Sequence, residues 1–314
     1  VTAGRGRARR LAVIGGGPAG LMAAETARAA GLEVAVFERM ASAGRKFLLA
    51  GKGGLNLTHS EPRPGFDARY GARREAVAHW LDGFDASALR AWAAGLGIAT
   101  FTGSSGRVFP ADMKAAPLLR AWLKRLRERG VAFHLRHDWQ GWDAAGALRF
   151  ATPDGPRTVA ADAVVLALGG ASWPQLGARG DWAPLLAAAG ADLAPLEAAN
   201  AGFEIAWSAH LRQRFAGAAL KAVVAHWQDA AGAAHARRGE CVVSEYGIEG
   251  SLIYALGADM RALRAAGHAP RLTLDLAPDR APAALVARLA APRGRHSLGD
   301  WLRRRAGLDK LKCA

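Results

Sequence analysis

Between Arg10 and Glu38 the spacing of apolar residues changes from a strand pattern to a helix pattern and back. Residues 11–14 form an apolar run too short for a helix and closed by glycine, which predicts a buried parallel strand. Residues 21–30 are alanine-rich and helix-favouring, with Pro18 suited to the first helical position and Gly31 to the C-terminal cap. Residues 33–37 predict a second strand. Short helices follow over 76–84 and 86–96, and a strand over 98–101. The span 61–73 is polar and turn-rich. The clearest amphipathic helix covers 115–129, with Leu118, Leu119, Trp122, Leu123 and Leu126 on one stripe and five basic residues on the other, a face expected to be solvated.

Segments 131–137, 139–142, 147–152 and 157–160 predict short antiparallel strands, and 163–168 a second buried strand. A helix is expected over 182–189. From residue 193 the texture becomes mixed, with strands over 203–207, 218–227, 239–244 and 272–276 and helices over 251–266, 281–290 and 297–305. The expected division is a Rossmann-like α/β domain over 1–192 and a mixed strand and helix domain, on the substrate side, over 193–314.

The first strand–helix–strand unit carries Gly15-x-Gly17-x-x-Gly20 at its turn. Gly15 permits the tight exit from the strand, Gly17 lets a pyrophosphate approach the backbone, and Gly20 lets the helix pack close to the sheet. Pro18 and Ala19 complete the turn. An anion here is stabilised by free N–H groups and the helix dipole. Glu38 ends the second strand, where an acid binds ribose hydroxyls; it favours FAD or NAD over NADP. The alternative is a glycine-rich turn in an ordinary α/β unit, which the full strand–turn–helix–strand context disfavours.

The long loop 39–60 holds Arg39, Arg45 and Lys46, then Gly51, Gly53, Gly54 and Asn56. Two basic side chains beside a phosphate site can neutralise it. The second glycine cluster lets the main chain approach a flat ligand. Four leucines supply apolar anchors, favouring an ordered functional loop over a flexible one. Gly169 and Gly170 follow a strand, at a position where backbone meets a cofactor. There is no second fingerprint of the kind a dedicated NAD(P)H domain carries.

The 314 residues, 51% of them apolar, suffice for two domains, and the mean hydropathy of +0.02 with no apolar run of about 18 residues argues against a membrane protein. Arg5–Arg10 before an apolar run looks like a secretion signal, even a twin-arginine one, but the fingerprint interrupts the apolar stretch and cleavage would destroy the unit. Two distant cysteines match no metal spacing, and a cytoplasmic protein with reduced thiols is expected. The net charge of +15 attracts polyanions. No aromatic-interleaved basic platform accompanies it, so nucleic acid remains a minority expectation.

Together the motifs resemble a family of bacterial FAD-dependent flavoproteins that includes aminoacetone-oxidase-like proteins and relatives of the bile-acid 4,6-dehydro reductase. The resemblance rests on Gly15–Gly20 with Glu38, on Gly44-Arg45-Lys46 before Gly51-Lys-Gly-Gly-Leu-Asn56-Leu-Thr58, and on Gly103-Ser-Ser-Gly-Arg-Val-Phe-Pro110. It continues through Leu166-Ala-Leu-Gly-Gly170, Gly239-Glu240, Gly247-x-x-Gly250 and Asp275-Leu-Ala-Pro278. It implies a glutathione-reductase-like FAD domain with an inserted second domain, and FAD as cofactor. By resemblance, Gly15, Gly17 and Gly20 hold the pyrophosphate and Glu38 the adenosine ribose. Arg45 and Lys46 lie near ribose and phosphates, Gly53, Gly54 and Asn56 near the flavin, and backbone near Trp139 pairs with adenine. Relatives carry Arg-Cys where this chain has Gly54-Leu55, so that pair's role does not transfer. They also continue with a segment that returns to the FAD domain and seats the isoalloxazine ring. None is visible here, which predicts a domain better equipped for the ADP moiety than for the ring.

The expected function is hydride transfer through FAD on a small-molecule substrate entering between the two domains, with NAD(P)H a candidate electron donor. An RNA-modifying flavoenzyme and a non-catalytic dinucleotide-binding remnant are the alternatives. No catalytic side chain emerges, and no metal is expected. His59 and Tyr246 lie near glycine clusters, but a surface histidine and a packed tyrosine are the plainer readings.

Overall fold

The computed structural model describes residues 9–49 and 54–314. The chain divides into two compact units, Val1–Leu196 and Glu197–Ala314.

In the first unit the strands are β1 (Arg10–Ile14), β2 (Glu33–Glu38), β3 (Thr58–His59), β4 (Thr100–Thr102), β5 (Arg107–Pro110), β6 (Ala132–Leu135), β7 (Asp138–Trp142), β8 (Leu148–Thr152), β9 (Gly155–Val159) and β10 (Ala163–Leu166). Its helices are α1 (Pro18–Ala29), α2 (Arg45–Leu48), α3 (Arg63–Ala68), α4 (Arg74–Gly83), α5 (Ala86–Ala94), α6 (Ala115–Glu128) and α7 (Ala183–Ala188). A parallel sheet runs in the order β10-β1-β2-β6. This is a Rossmann-type sheet, and its order reverses beside β1.

Side-chain alternation along the strands sets the layers. Leu11, Val13, Val34 and Val36 face α1 and α6, where Leu21, Leu118, Trp122 and Leu126 complete one core. Ala12, Ile14 and Phe37 face the other way, onto Trp139, Leu148 and Phe150 of the antiparallel sheet β7-β8-β9. The result is helix, parallel sheet and antiparallel sheet in three layers. Pro18 occupies the first turn of α1 as expected. The helix ends with Gly31 at φ +87°, Gly31 N–H donating to the Arg28 carbonyl and Leu32 N–H to that of Ala27.

Four expectations are corrected. Residues 132–135 are not antiparallel: β6 joins the parallel sheet beside β2, because the α6 crossover returns the chain in the same direction. The strand expected to be buried over 163–168 is an edge strand, β10, with Leu166 36% exposed. The turn-rich span 61–73 holds helix α3, supported by an Arg63–Asp67 pair one turn apart, with Arg63 also reaching Asp82 and the Ala78 carbonyl on α4. The basic face of α6 is also only partly solvated. Glu25 of α1 accepts from the indoles of Trp122 (2.7 Å) and Trp92 (3.1 Å) and pairs with Arg125 (2.9 Å) and Arg129 (3.3 Å).

The second unit contains β11 (Phe203–Glu204), α8 (Ala209–Phe215), β12 (Ala219–Gln228), β13 (Ala234–Val243), β14 (Gly247–Glu249), α9 (Ser251–Ala265), β15 (Thr273–Asp275), α10 (Pro282–Leu289) and α11 (Leu298–Ala306). Its antiparallel sheet, β11-β14-β13-β12-β15, buries Val223, Ala225, Cys241 and Val243 against Ile253, Leu256 and Met260 of α9. No helix among the described residues is long and apolar enough to cross a membrane.

Candidate functional site

A cavity of about 310 Å³ opens in the first unit at the carboxyl ends of β1, β2 and β10, where open parallel sheets take their ligands. Gly15, Gly17 and Pro18 supply its floor. Gly15 sits at φ +110°, and a Cβ there would lie 2.2 Å from the Ala167 carbonyl oxygen. A Cβ on Gly20 would fall 1.9 Å from the Gly15 oxygen, so Gly20 secures helix packing rather than ligand contact. Gly17 differs: its backbone is ordinary, at φ −79°, and its missing Cβ would meet nothing within 4 Å among the described residues. The absent side chain thus leaves space facing the cavity at the start of α1, which has no side-chain cap. Such a helix N-terminus offers free N–H groups to an anion.

Glu38 lines the same cavity. One carboxylate oxygen accepts from Gly16 N–H at 2.7 Å and the other from Met40 N–H at 2.8 Å. These bonds fix the carboxylate beside the turn and leave lone pairs free to accept hydroxyls. Arg45 and Lys46 lie at the cavity on α2. Lys46 donates to the Ser172 hydroxyl at 2.8 Å. The Arg45 Nε is buried with no hydrogen-bond partner among the described residues. An unsatisfied buried cation donor in a cavity calls for an anionic acceptor.

Arg39 also lines the cavity, but its guanidinium is engaged. It donates to Asp138 (2.8 Å), to both oxygens of Asp181 (2.8 and 2.9 Å) and to the Gly177 carbonyl (3.2 Å). The hydrogen bond from Arg39, opposed by burial and reinforced by the charges of Arg39 and Arg179, holds the Asp181 carboxyl below the usual range. This clamp joins the ends of β2, β7 and the loop before α7. Trp139 and Gln140 bring in the edge strand β7, which among the described residues has one strand neighbour, β8, and so one free backbone edge. Gly169, at φ +72°, and Gly170 close the far wall, with the Trp182 indole donating to the Gly169 carbonyl.

Not every expected residue converges here. Ala19 is exposed and off the cavity wall. Gly54 packs against Met113, Asn56 is exposed, and neither lines the cavity. Gly53 lies outside the described residues. His59 is engaged within the β3–β5 region, bonded to the Ser105 carbonyl and the Glu61 amide, and Tyr246 is 74% exposed in the second unit. Sequence reasoning missed His137, Asp138, Ser172, Asp181 and Trp182. Of these, only the Asp after Gly177-Ala-Arg-Gly180 stood near a recognisable turn; the others are single polar residues whose meeting depends on the fold.

These features define a Rossmann-type α/β domain whose glycine turn faces a cavity. The chain belongs to the HI0933-like protein Rossmann domain family, whose model matches residues 9–277. No protein of curated function matches it. Among solved structures, it is similar to the open conformation of a flavocytochrome c3 fumarate reductase, at 19% identity and TM-score 0.46 over 71% of this chain and 47% of that one. It is also similar to 3-ketosteroid-delta4-(5alpha)-dehydrogenase from Rhodococcus jostii RHA1, at 17% and 0.40 over 54% and 48%. A third likeness is to Thermovibrio ammonificans THI4, at 19% and 0.33 over 51% and 57%. The chain spans about half the length of these structures.

Proposed function

We propose that this protein is an FAD-dependent oxidoreductase and that the cavity holds the ADP portion of the cofactor. One observation carries the reading. The open space at Gly17 lies beside an uncapped helix N-terminus, in the same cavity as the Glu38 carboxylate. A pyrophosphate fits the first and a ribose diol the second. Arg45, its Nε unpaired among the described residues, would neutralise phosphate charge, and the free edge of β7 near Trp139 would offer backbone groups to adenine.

When bound, FAD supplies the hydride chemistry. The chain's own residues bind and orient it: Glu38 accepts the ribose hydroxyls and rejects a 2′-phosphate by like charge, while the Arg39–Asp138–Asp181 clamp holds the surrounding walls together. The substrate is read as a small molecule, with NAD(P)H as a diffusible donor, in keeping with the single fingerprint in the sequence. The aminoacetone-oxidase-like resemblance is the narrowest form of this reading. Two cysteines without a disulfide accord with a cytoplasmic setting.

Titration calorimetry with FAD and with ADP-ribose tests the assignment. Both are expected to bind, and Glu38→Ala to weaken both by tenfold or more, on the order of one charged hydrogen-bond pair. Heat-silent titrations with folded protein, or full affinity in the variant, would overturn it.

A further inference from the structure

We propose that Asp181 is a specificity-determining residue of the candidate site: it fills the guanidinium fork of Arg39, which would otherwise accept the 2′-phosphate of an NADP-type dinucleotide. This rests on the dinucleotide reading above and adds the residue that decides which adenine dinucleotides the cavity takes.

The chain carries both groups on which this choice turns. An acid at the end of the second strand binds a free ribose 2′-hydroxyl, whereas an arginine nearby accommodates a 2′-phosphate. Here the two are consecutive, Glu38 and Arg39, and both line the cavity. Spacing alone does not choose between them, but their partners do. The Glu38 carboxylate accepts from two backbone amides and keeps further lone pairs. A guanidinium has five N–H groups, and in Arg39 all five have acceptors. Nε and one Nη2 hydrogen go to Asp138. The second Nη2 hydrogen and one Nη1 hydrogen go to the two oxygens of Asp181, at 2.8 and 2.9 Å. The last Nη1 hydrogen goes to the Gly177 carbonyl at 3.2 Å.

The two aspartates play different parts. Asp138, on β7, holds the Nε side. Asp181, in the loop before α7, takes both Nη atoms, one on each carboxylate oxygen. A phosphate makes the same two-pronged pairing with arginine, so Asp181 occupies the fork in a phosphate's manner. Its side chain is 45% exposed, so its removal opens no core. The Arg39 hydrogen bond holds its carboxyl below the usual range, and it stays ionised at neutral pH. Arg39 with its two aspartates thus adds one net negative charge beside Glu38. Arg45 in the same cavity differs, with its Nε unpartnered among the described residues. One arginine stands ready for an anion, and the one next to the ribose acid is already satisfied. This pairing would keep a 2′-phosphorylated donor from competing with FAD for the site.

The plainer role for Asp181 is to tie its loop to the end of β2. A loosened wall weakens every dinucleotide alike. The ratio of affinities for two ligands that differ only in the 2′-phosphate therefore separates the two roles.

Titration calorimetry of the full chain at pH 7.5 compares ADP-ribose with ADP-ribose 2′-phosphate, whose added phosphate is then largely doubly charged. Wild type is expected to prefer ADP-ribose by about a hundredfold or more, from like charge at Glu38 and a filled fork at Arg39. Asp181→Ala leaves Arg39 anchored by Asp138 and the Gly177 carbonyl, with one Nη1 and one Nη2 hydrogen vacant. It is expected to lower the preference by roughly tenfold, the order of one charge-assisted pair. With Arg39→Gln already present, Asp181→Ala is expected to change the ratio by about threefold or less, the effect of one screened charge. An unchanged ratio in Asp181→Ala, an equal fall in the Arg39→Gln background, or a wild type that binds both ligands alike overturns the inference and leaves the dinucleotide site standing. Absence of ADP-ribose binding by folded wild type overturns both. Circular dichroism checks the folding of each variant. If Asp181→Ala does not fold, Asp181→Asn keeps the shape without the charge and is expected to shift the ratio in the same direction, an unchanged ratio again overturning the inference. If Arg39→Gln does not fold, the Asp181 variant carries the decision.

Discussion

At the scale of single residues, the three glycines of the turn are chemically identical and physically distinct. Gly15 and Gly20 are required by backbone that lies 2.2 and 1.9 Å from where a Cβ would stand. Among the described residues, nothing lies within 4 Å of where a Gly17 Cβ would stand. Their alanine variants should therefore separate. Gly17→Ala is expected to melt like wild type yet bind ADP-ribose at least tenfold more weakly, because its methyl group would stand in the place proposed for the pyrophosphate. Gly20→Ala is expected to lose on the order of 2 kcal/mol of stability, because the clash forces α1 off the sheet. Differential scanning calorimetry and titration of the two variants check this; equal melting losses would contradict it. The motif marks all three glycines alike, and the coordinates separate Gly15 and Gly20, which close backbone demands, from Gly17, which it does not.

At the scale of elements, the link between α1, α5 and α6 is a shared carboxylate. Glu25, 8% exposed, gathers two indoles and two guanidinium groups. The amphipathic stripe of α6 was legible because period 3.6 places Leu118, Trp122 and Leu126 on one face. Its pairing to Glu25 was not, because Glu25 lies about a hundred residues earlier and pattern carries no information on partners that far away. Removing one member of a buried ionic cluster leaves the others uncompensated. Glu25→Gln is expected to cost about 3 kcal/mol, read from urea unfolding followed by tryptophan fluorescence. Its ADP-ribose affinity should be unchanged, since Glu25 does not line the cavity. The misjudged direction of β6 has a similar origin. Its four residues read alike in either orientation, and only the α6 crossover dictates that it lies parallel to β2.

At the scale of the whole molecule, the net charge of +15 is the excess of 42 basic over 27 acidic residues. Arg39, Arg63, Arg69, Arg125, Arg238 and Arg261 are all in ion pairs. Each unit has its own core, and the candidate site is assembled within the first. Saturating ADP-ribose is therefore expected to slow hydrogen exchange at residues 15–20, 38–40 and 137–140, and to leave the amides of Glu197–Ala314 unaltered. Protection centred on the second unit would relocate the site.

By itself the sequence determined the strand–turn–helix–strand unit, its glycines and the acid at Glu38, because turn sterics and side-chain period act over a few neighbouring residues. It also determined the apolar faces that become the two sides of the parallel sheet. The tertiary structure decided which distant groups meet at that turn. Arg39 found Asp138 and Asp181, Lys46 found Ser172, and His137 found Arg157 only once β6, β7, β9 and the loop after β10 had been brought alongside β2. Such meetings depend on chain direction and crossover, which backbone hydrogen bonding and core packing settle across the whole unit rather than in any local stretch.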